Sequence, residues 1–163
     1  MKVISNTGPI IALAKAGRLE LLKALFSKVY VLPRVYKELA GKTSFEAEQI
    51  DRALNEFIVL ENPGELSSSW EKALPGIDSG ERQAIIHAYN IEQDVLLLLD
   101  DKAGRAVARR LNLPITGTVG VLLLAREQGL IECVSEVLEE MRTKGYWLSD
   151  EIIDLAKLMA GEK

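Results

Sequence analysis

The most aliphatic stretch of the chain, residues 95–99, runs directly into two aspartates, Asp100 and Asp101. Carboxylates at the rim of a core are costly to dehydrate unless a cation or hydrogen-bond donors meet them. One of the pair can be the N-cap of a helix starting at Lys102, which accounts for one acid and leaves the other. Two further acids deserve the same scrutiny. Glu81 follows Asp78-Ser79-Gly80 with the spacing of a capping box, Asp taking the usual place of Ser or Thr. Glu38 lies four positions after Arg34, the spacing of an ion pair on an exposed helix face. Each acid therefore has a structural reading beside a functional one.

Brought together, these carboxylates would support a specific chemistry. Oxygen-only clusters suit hard cations such as Mg²⁺ or Mn²⁺, which keep some waters and bridge phosphate oxygens. Such ions activate a water and stabilise the leaving oxygen in phosphodiester hydrolysis. A zinc site does not compete, because the chain has a single His, His87, and a single Cys, Cys133, far apart in sequence. His87 falls in mid-helix and reads as a surface or packing residue rather than a general base. Just after the paired acids, Lys102, Arg105 and Arg109 recur at helical spacing on one face. That face is either a solvated one or a hold for a phosphate backbone. No Gly-x-Gly-x-x-Gly, Walker-type or Gly-x-Ser-x-Gly motif occurs, which disfavours dinucleotide and acyl-transfer chemistry.

The elements that must position these groups read as a parallel sheet wrapped by helices. Short aliphatic runs at Val3-Ile4, Val29-Tyr30-Val31-Leu32, Phe57-Ile58-Val59-Leu60, residues 95–99 and Pro114-Ile115-Thr116 alternate with helical patterns. In open parallel sheets ligands bind outside the carboxyl ends of strands where strand order reverses. Here those ends carry Asn6-Thr7, Asp100-Asp101 and Thr116-Gly117-Thr118. Pro9 and Pro33 suit helix first turns, and Gly17, Gly41, Gly129 and Gly145 suit helix ends. Thr43/Glu46 and Ser68/Glu71 have capping-box spacing, and residues 62–69 read as a loop. From Thr118 to Gly161 there are three helical patterns and no strand. The last, capped by Ser149, is apolar over so much of its surface that either a homodimer partner or the domain's own sheet is expected to cover it.

Composition sets the outer bounds. At 163 residues, 48% hydrophobic and 27% charged, the chain is expected to form a single domain over residues 1–163 and excludes disordered or collagen-like classes. One Cys and an N-terminus without a leader pattern point to a reduced, cytoplasmic protein. No aliphatic run approaches the ~20 residues of a membrane helix. The net charge of −4 speaks mildly against nucleic acid. Yet setting aside Glu38, Glu81, Asp100 and Asp101 as cation ligands leaves 20 acids against 20 bases.

In order and spacing these motifs resemble PIN-domain proteins, most of all the short prokaryotic VapC-type toxin relatives. The resemblance runs from about residue 2 to Gly161. Its carriers are the opening run from Val3 through Ser5-Asn6-Thr7-Gly8-Pro9 to Leu19, Pro33-x-Val35-x-x-Glu38-Leu39, Asp78-x-Gly80-Glu81, Leu98-Leu99-Asp100-Asp101-Lys102-x-x-Arg105 and Ile115-Thr116-Gly117-Thr118. It implies a three-layer α/β, Rossmann-like fold with a central parallel sheet of about 4–5 strands and a helical C-terminal third. It also implies an acidic Mg²⁺/Mn²⁺ site, endoribonuclease activity on RNA, frequent homodimers and a small antitoxin partner. By position Asn6 stands where the family commonly has its first Asp, Glu38 and Glu81 match the next two acids, and Asp101 with Asp100 beside it matches the acid after the fourth strand. Thr7 matches the hydroxyl residue beside the first position. Lys102, Arg105 and Arg109 would then steer the RNA strand.

Asn6 is the departure that matters. Its amide oxygen can ligate a cation but brings no negative charge, so metal affinity and water activation should both fall. A slow nuclease, a one-ion site, and a catalytically impaired module binding RNA or protein all fit that change. A receiver-like phosphorylation switch fits less well, since it would want acids after the first strand and a Lys after the last.

Overall fold

Five short parallel strands form one sheet: β1 (Lys2–Ser5), β2 (Val29–Val31), β3 (Ile58–Leu60), β4 (Val95–Leu98) and β5 (Ile115–Thr116), in the order β3-β2-β1-β4-β5. The computed structural model describes residues 1–63 and 74–163. The strand order reverses between β1 and β4, which pair from Lys2↔Val95 to Ser5↔Leu98. All five expected strands are present, within a residue or two at their ends.

Alternation of side chains along the strands explains the layers. Ile4, Leu97 and Leu99 join Ala84 and Ile85 on one face of the sheet, whereas Val3 and Leu98 join Ile10, Leu13 and the C-terminal helices on the other. Strands buried on both faces read as continuous aliphatic runs, as residues 95–99 do. The helices are α1 (Thr7–Lys15), α2 (Glu20–Phe26), α3 (Pro33–Ala40), α4 (Ala47–Leu54), α5 (Ser79–Asn90), α6 (Lys102–Arg110), α7 (Thr118–Glu127), α8 (Val134–Thr143) and α9 (Asp150–Ala160). The result is a three-layer α/β fold of Rossmann-like type.

Most of the sequence punctuation lies where its chemistry places it. Pro33 opens α3, Pro9 sits in the first turn of α1, and Ser149 caps α9 by accepting from the Ile152 N–H at 3.1 Å. Gly17, Gly129 and Gly145 take positive φ after helices, whereas Gly41 ends α3 at φ −83 and needs no glycine freedom. The Thr43/Glu46 box does not form. Glu46 itself occupies the N-cap of α4, makes no capping bond, and is drawn inward to Lys15 of α1 at 3.3 Å. A tertiary ion pair has displaced the local motif. The Ser68/Glu71 box, and the 62–69 loop beyond residue 63, lie outside the described residues.

Two other expectations left alternatives open, and the structure narrows both. Of the two readings of His87, surface or packing, the structure takes packing: it is buried on α5 with its Nε2 2.5 Å from Glu61 Oε2, and Glu61 also pairs with Lys2. Helix α9 does not lie on the sheet. It buries Ile153, Ala156 and Ala160 while packing on α7 and α8, and leaves Leu155, Leu158 and Met159 exposed. Among the described residues no helix is long and apolar enough to cross a membrane.

Candidate acidic active site

The carboxyl ends of β1, β4 and β5 open into one crevice of about 1040 Å³, at the reversal of strand order. Asn6, Thr7, Glu38, Glu81, Asp100, Asp101, Lys102, Arg105 and Arg109 all line it. Residues up to 103 positions apart thus share one wall because β1 pairs with β4 and β4 with β5.

Asn6 ends β1, its backbone N–H bonded to Leu98 O at 3.0 Å. Although it stands at the N-cap of α1, its side chain makes no capping bond. Thr7 in the first turn of α1 donates its hydroxyl to Glu38 Oε2 at 2.8 Å, which ties α1 to α3 and fixes the otherwise exposed Glu38. The other Glu38 oxygen lies against Gly80, where a Cβ would come within 2.8 Å of it.

Asp78 does cap α5, accepting from the Glu81 N–H at 2.8 Å. The reciprocal half of the box is missing, because the Glu81 carboxylate turns into the crevice. Glu81 is 3% exposed and its Oε1 has no hydrogen-bond partner. Burial first, then the neighbouring carboxylates of Asp78 and Asp101, push the Glu81 carboxyl up to about 8. Glu81 therefore serves both readings, its backbone in the cap and its carboxylate in the site. Among the described residues the other such oxygen is Glu46 Oε2, whose carboxylate has Lys15 beside it; Glu81 has acids.

The paired aspartates divide their work. Asp101 caps α6, accepting from the Gly104 N–H at 2.9 Å. Asp100 caps α7 from across the sheet: its Oδ1 accepts from the Thr118 N–H at 2.7 Å, and its Oδ2 accepts from the hydroxyls of Thr118 at 2.5 Å and Tyr146 at 2.6 Å. Both acids thus have structural partners, and the second is satisfied through residues far along the chain. Arg105 donates to Leu99 O at 3.0 Å, while Lys102 and Arg109 stand exposed at the rim.

Sequence reasoning missed the parts that let these groups approach one another. A Cβ on Gly104 would collide with Glu81 Oε1, and one on Gly117 would come within 2.6 Å of Asp100 Oδ1 and Arg105 Nη1. Glycine is a poor helix former, so Gly80 and Gly104 in first turns carried a readable signal of close approach. Tyr146 carried none.

The donor chemistry fits a hard cation. Oxygen ligands surround the crevice, and its deepest carboxylate oxygen, Glu81 Oε1, lacks a partner in a setting that disfavours its charge. Among the described residues no three His, Cys, Asp or Glu side chains close on a single point as a ligand cluster. Glu38, Asp100 and Asp101 are engaged by Thr7, by Thr118 with Tyr146, and by the Gly104 N–H. The crevice lining also has an apolar part, which includes Trp147, Leu155 and Met159. A family model described as a PIN domain matches residues 2–162. No curated protein and no solved structure matches the chain significantly.

Proposed function

The chain belongs to the PIN-domain family, and on that premise we propose that it is a Mg²⁺- or Mn²⁺-dependent endoribonuclease acting in the acidic crevice. The observation that carries the reading is Glu81: a buried carboxylate, one oxygen unpartnered, facing two other acids in a crevice of about 1040 Å³. Such a group is out of balance until positive charge joins it.

Glu81 and Asp101 would hold the cation, with Glu38 closing the site from α3 and Asn6 adding an uncharged amide oxygen. Asp100, whose oxygens already accept three hydrogen bonds, would offer the cation its one remaining lone-pair position. Bound there, the ion would supply an activated water and charge stabilisation for the leaving oxygen. Thr7 holds one Glu38 oxygen in place by a hydrogen bond. Lys102 and Arg109 would hold the phosphate backbone of a single-stranded RNA, while Arg105, anchored on Leu99 O, closes the floor. The exposed apolar face of α9 supports a protein partner, either a second copy of the chain or a small antitoxin, as expected of a cytoplasmic toxin.

A second reading, a PIN-like module that binds RNA or protein without cleaving, is favoured by Asn6 and by the internal hydrogen bonds of Asp100. Cleavage of single-stranded RNA in Mn²⁺ separates the two. The nuclease reading expects cleavage by the parent and its loss in Asp101→Ala. Equal rates for parent and Asp101→Ala sink the mechanism, whereas a silent parent that Asn6→Asp awakens establishes the binding module.

A further inference from the structure

The loop between α8 and α9 enters the crevice from a stretch of sequence with no acidic motif. Gly145, at φ +96, reverses the chain after α8, and the Tyr146 N–H returns to Met141 O at 3.0 Å. The next two side chains then part company: Trp147 is 80% exposed, whereas Tyr146 runs inward. Its hydroxyl donates to Asp100 Oδ2 at 2.6 Å. The same hydroxyl lies against the first turn of α1, 3.5 Å from where a Cβ on Gly8 would stand. The phenol oxygen thus packs between Gly8 of α1 and the Asp100 carboxylate.

Asp100 is unusually constrained as a result. A carboxylate offers about four lone-pair positions, and Thr118 and Tyr146 fill three of them from two separate elements. Thr118 alone would already cap α7 and satisfy one bond on each oxygen. The Tyr146 bond is additional. It closes the ring α1, β4, α7 and the α8–α9 loop around the acid that precedes Asp101. A tyrosine needed only to anchor its loop would be served by any backbone carbonyl.

We propose that Tyr146 is a positioning residue of the acidic site, its hydroxyl holding the Asp100 carboxylate, and with it the Asp100-Asp101 turn, in the orientation that receives a divalent cation. The proposal rests on the cation reading above. Outer partners of ligating carboxylates act in this way, by restricting rotation. The C-terminal helices then form part of the site instead of a separate packing layer.

A double-mutant cycle on the full chain tests it, with Mn²⁺ alone as the probe and affinity read by electron paramagnetic resonance or calorimetry. Tyr146→Phe should weaken Mn²⁺ binding by about 10-fold, and should change affinity by less than about twofold in an Asp100→Ala background, because the two act as one unit. Thr118→Ala, which removes the other hydroxyl on the same oxygen, should reproduce the loss if Tyr146→Phe does not fold. Thr118→Ser should bind as the parent does. Unchanged affinity in Tyr146→Phe, or an equal loss with and without Asp100, overturns the positioning role while leaving the cation site intact. A parent that binds no Mn²⁺ at millimolar concentration overturns both.

Discussion

Glu81 and Glu162 are glutamates at two helix N-termini, and their surroundings push them in opposite directions. Glu162 follows α9 and folds back on the start of α8, where it accepts from Val134 N at 2.7 Å, Ser135 N at 3.2 Å, the Ser135 hydroxyl at 2.5 Å and the Cys133 thiol at 3.2 Å. Burial opposes its charge, but these donors outweigh burial and hold the carboxyl down at about 2. Glu81 lies beside the start of α6, where Asp101 has already taken the Gly104 N–H. Burial then acts on Glu81 unopposed, and Asp78 and Asp101 reinforce it up to about 8. The difference lies in who meets the carboxylate: helix-end donors make a structural joint, and other acids leave a buried carboxylate without a counter-charge.

The sharpest way to break this contrast is to neutralise Glu81. Glu81→Gln should lower Mn²⁺-dependent RNA cleavage by about 100-fold or more, while raising thermal stability in metal-free protein at neutral pH, because folding no longer has to hold a proton on a buried carboxyl. Activity that survives the substitution would place the chemistry elsewhere.

Gly104→Ala probes the same oxygen from the other side. Alanine normally stabilises a helix over glycine by up to about 1 kcal/mol, yet here its Cβ meets Glu81 Oε1 and should destabilise the protein. A Glu81→Ala background should restore the usual sign. Denaturation curves of the two single variants and the pair would show it, and a deficit that persists without Glu81 would mean that the collision lies with another neighbour.

The two glutamates also predict opposite pH limbs in metal-free protein. Glu162 is depressed in the folded state, so its contribution is present above its unfolded value of 4.5 and is lost as pH falls toward about 2. Glu81 is raised, so the folded state retains a proton that the unfolded state releases. Its contribution is full below 4.5 and lost as pH rises through about 8. Urea midpoints from pH 3 to 9 should lose the acid limb in Glu162→Gln and the alkaline limb in Glu81→Gln, and saturating Mn²⁺ should flatten only the latter.

The smallest effect is expected from removing the joint itself. Glu162→Ala deletes an N-terminal cap of α8, worth about 1 kcal/mol, and should leave Mn²⁺ affinity unchanged. A loss of affinity would show that the far end of the C-terminal helices communicates with the crevice.

Much of the architecture was legible because its determinants are local. Residues 95–99, buried on both sides of the sheet, are a continuous aliphatic run, and the flanking helices show apolar periodicity with proline and serine at their starts. The Asp78 and Asp101 caps were readable from spacing alone and are present. The Thr43/Glu46 box had the same spacing and failed, because Lys15 lies within reach of Glu46 only once α1 and α4 pack. Spacing proposes a cap; a tertiary competitor decides it. Tyr146 and Glu162 show the converse, since nothing in their neighbourhoods announces a partner 46 or 27 residues away.

What the sequence determined by itself was the parallel α/β layout and the set of polar residues at strand ends, because backbone conformation and burial periodicity follow from a few adjacent side chains. What only the tertiary structure decided was the state of each acid. Asp100 is satisfied by Thr118 and Tyr146, Glu162 by the start of α8, and Glu81 is hemmed in by Asp78 and Asp101. A carboxylate's charge is set by whatever lies within a few ångströms of it, and in this fold those neighbours come from segments that are remote in the chain.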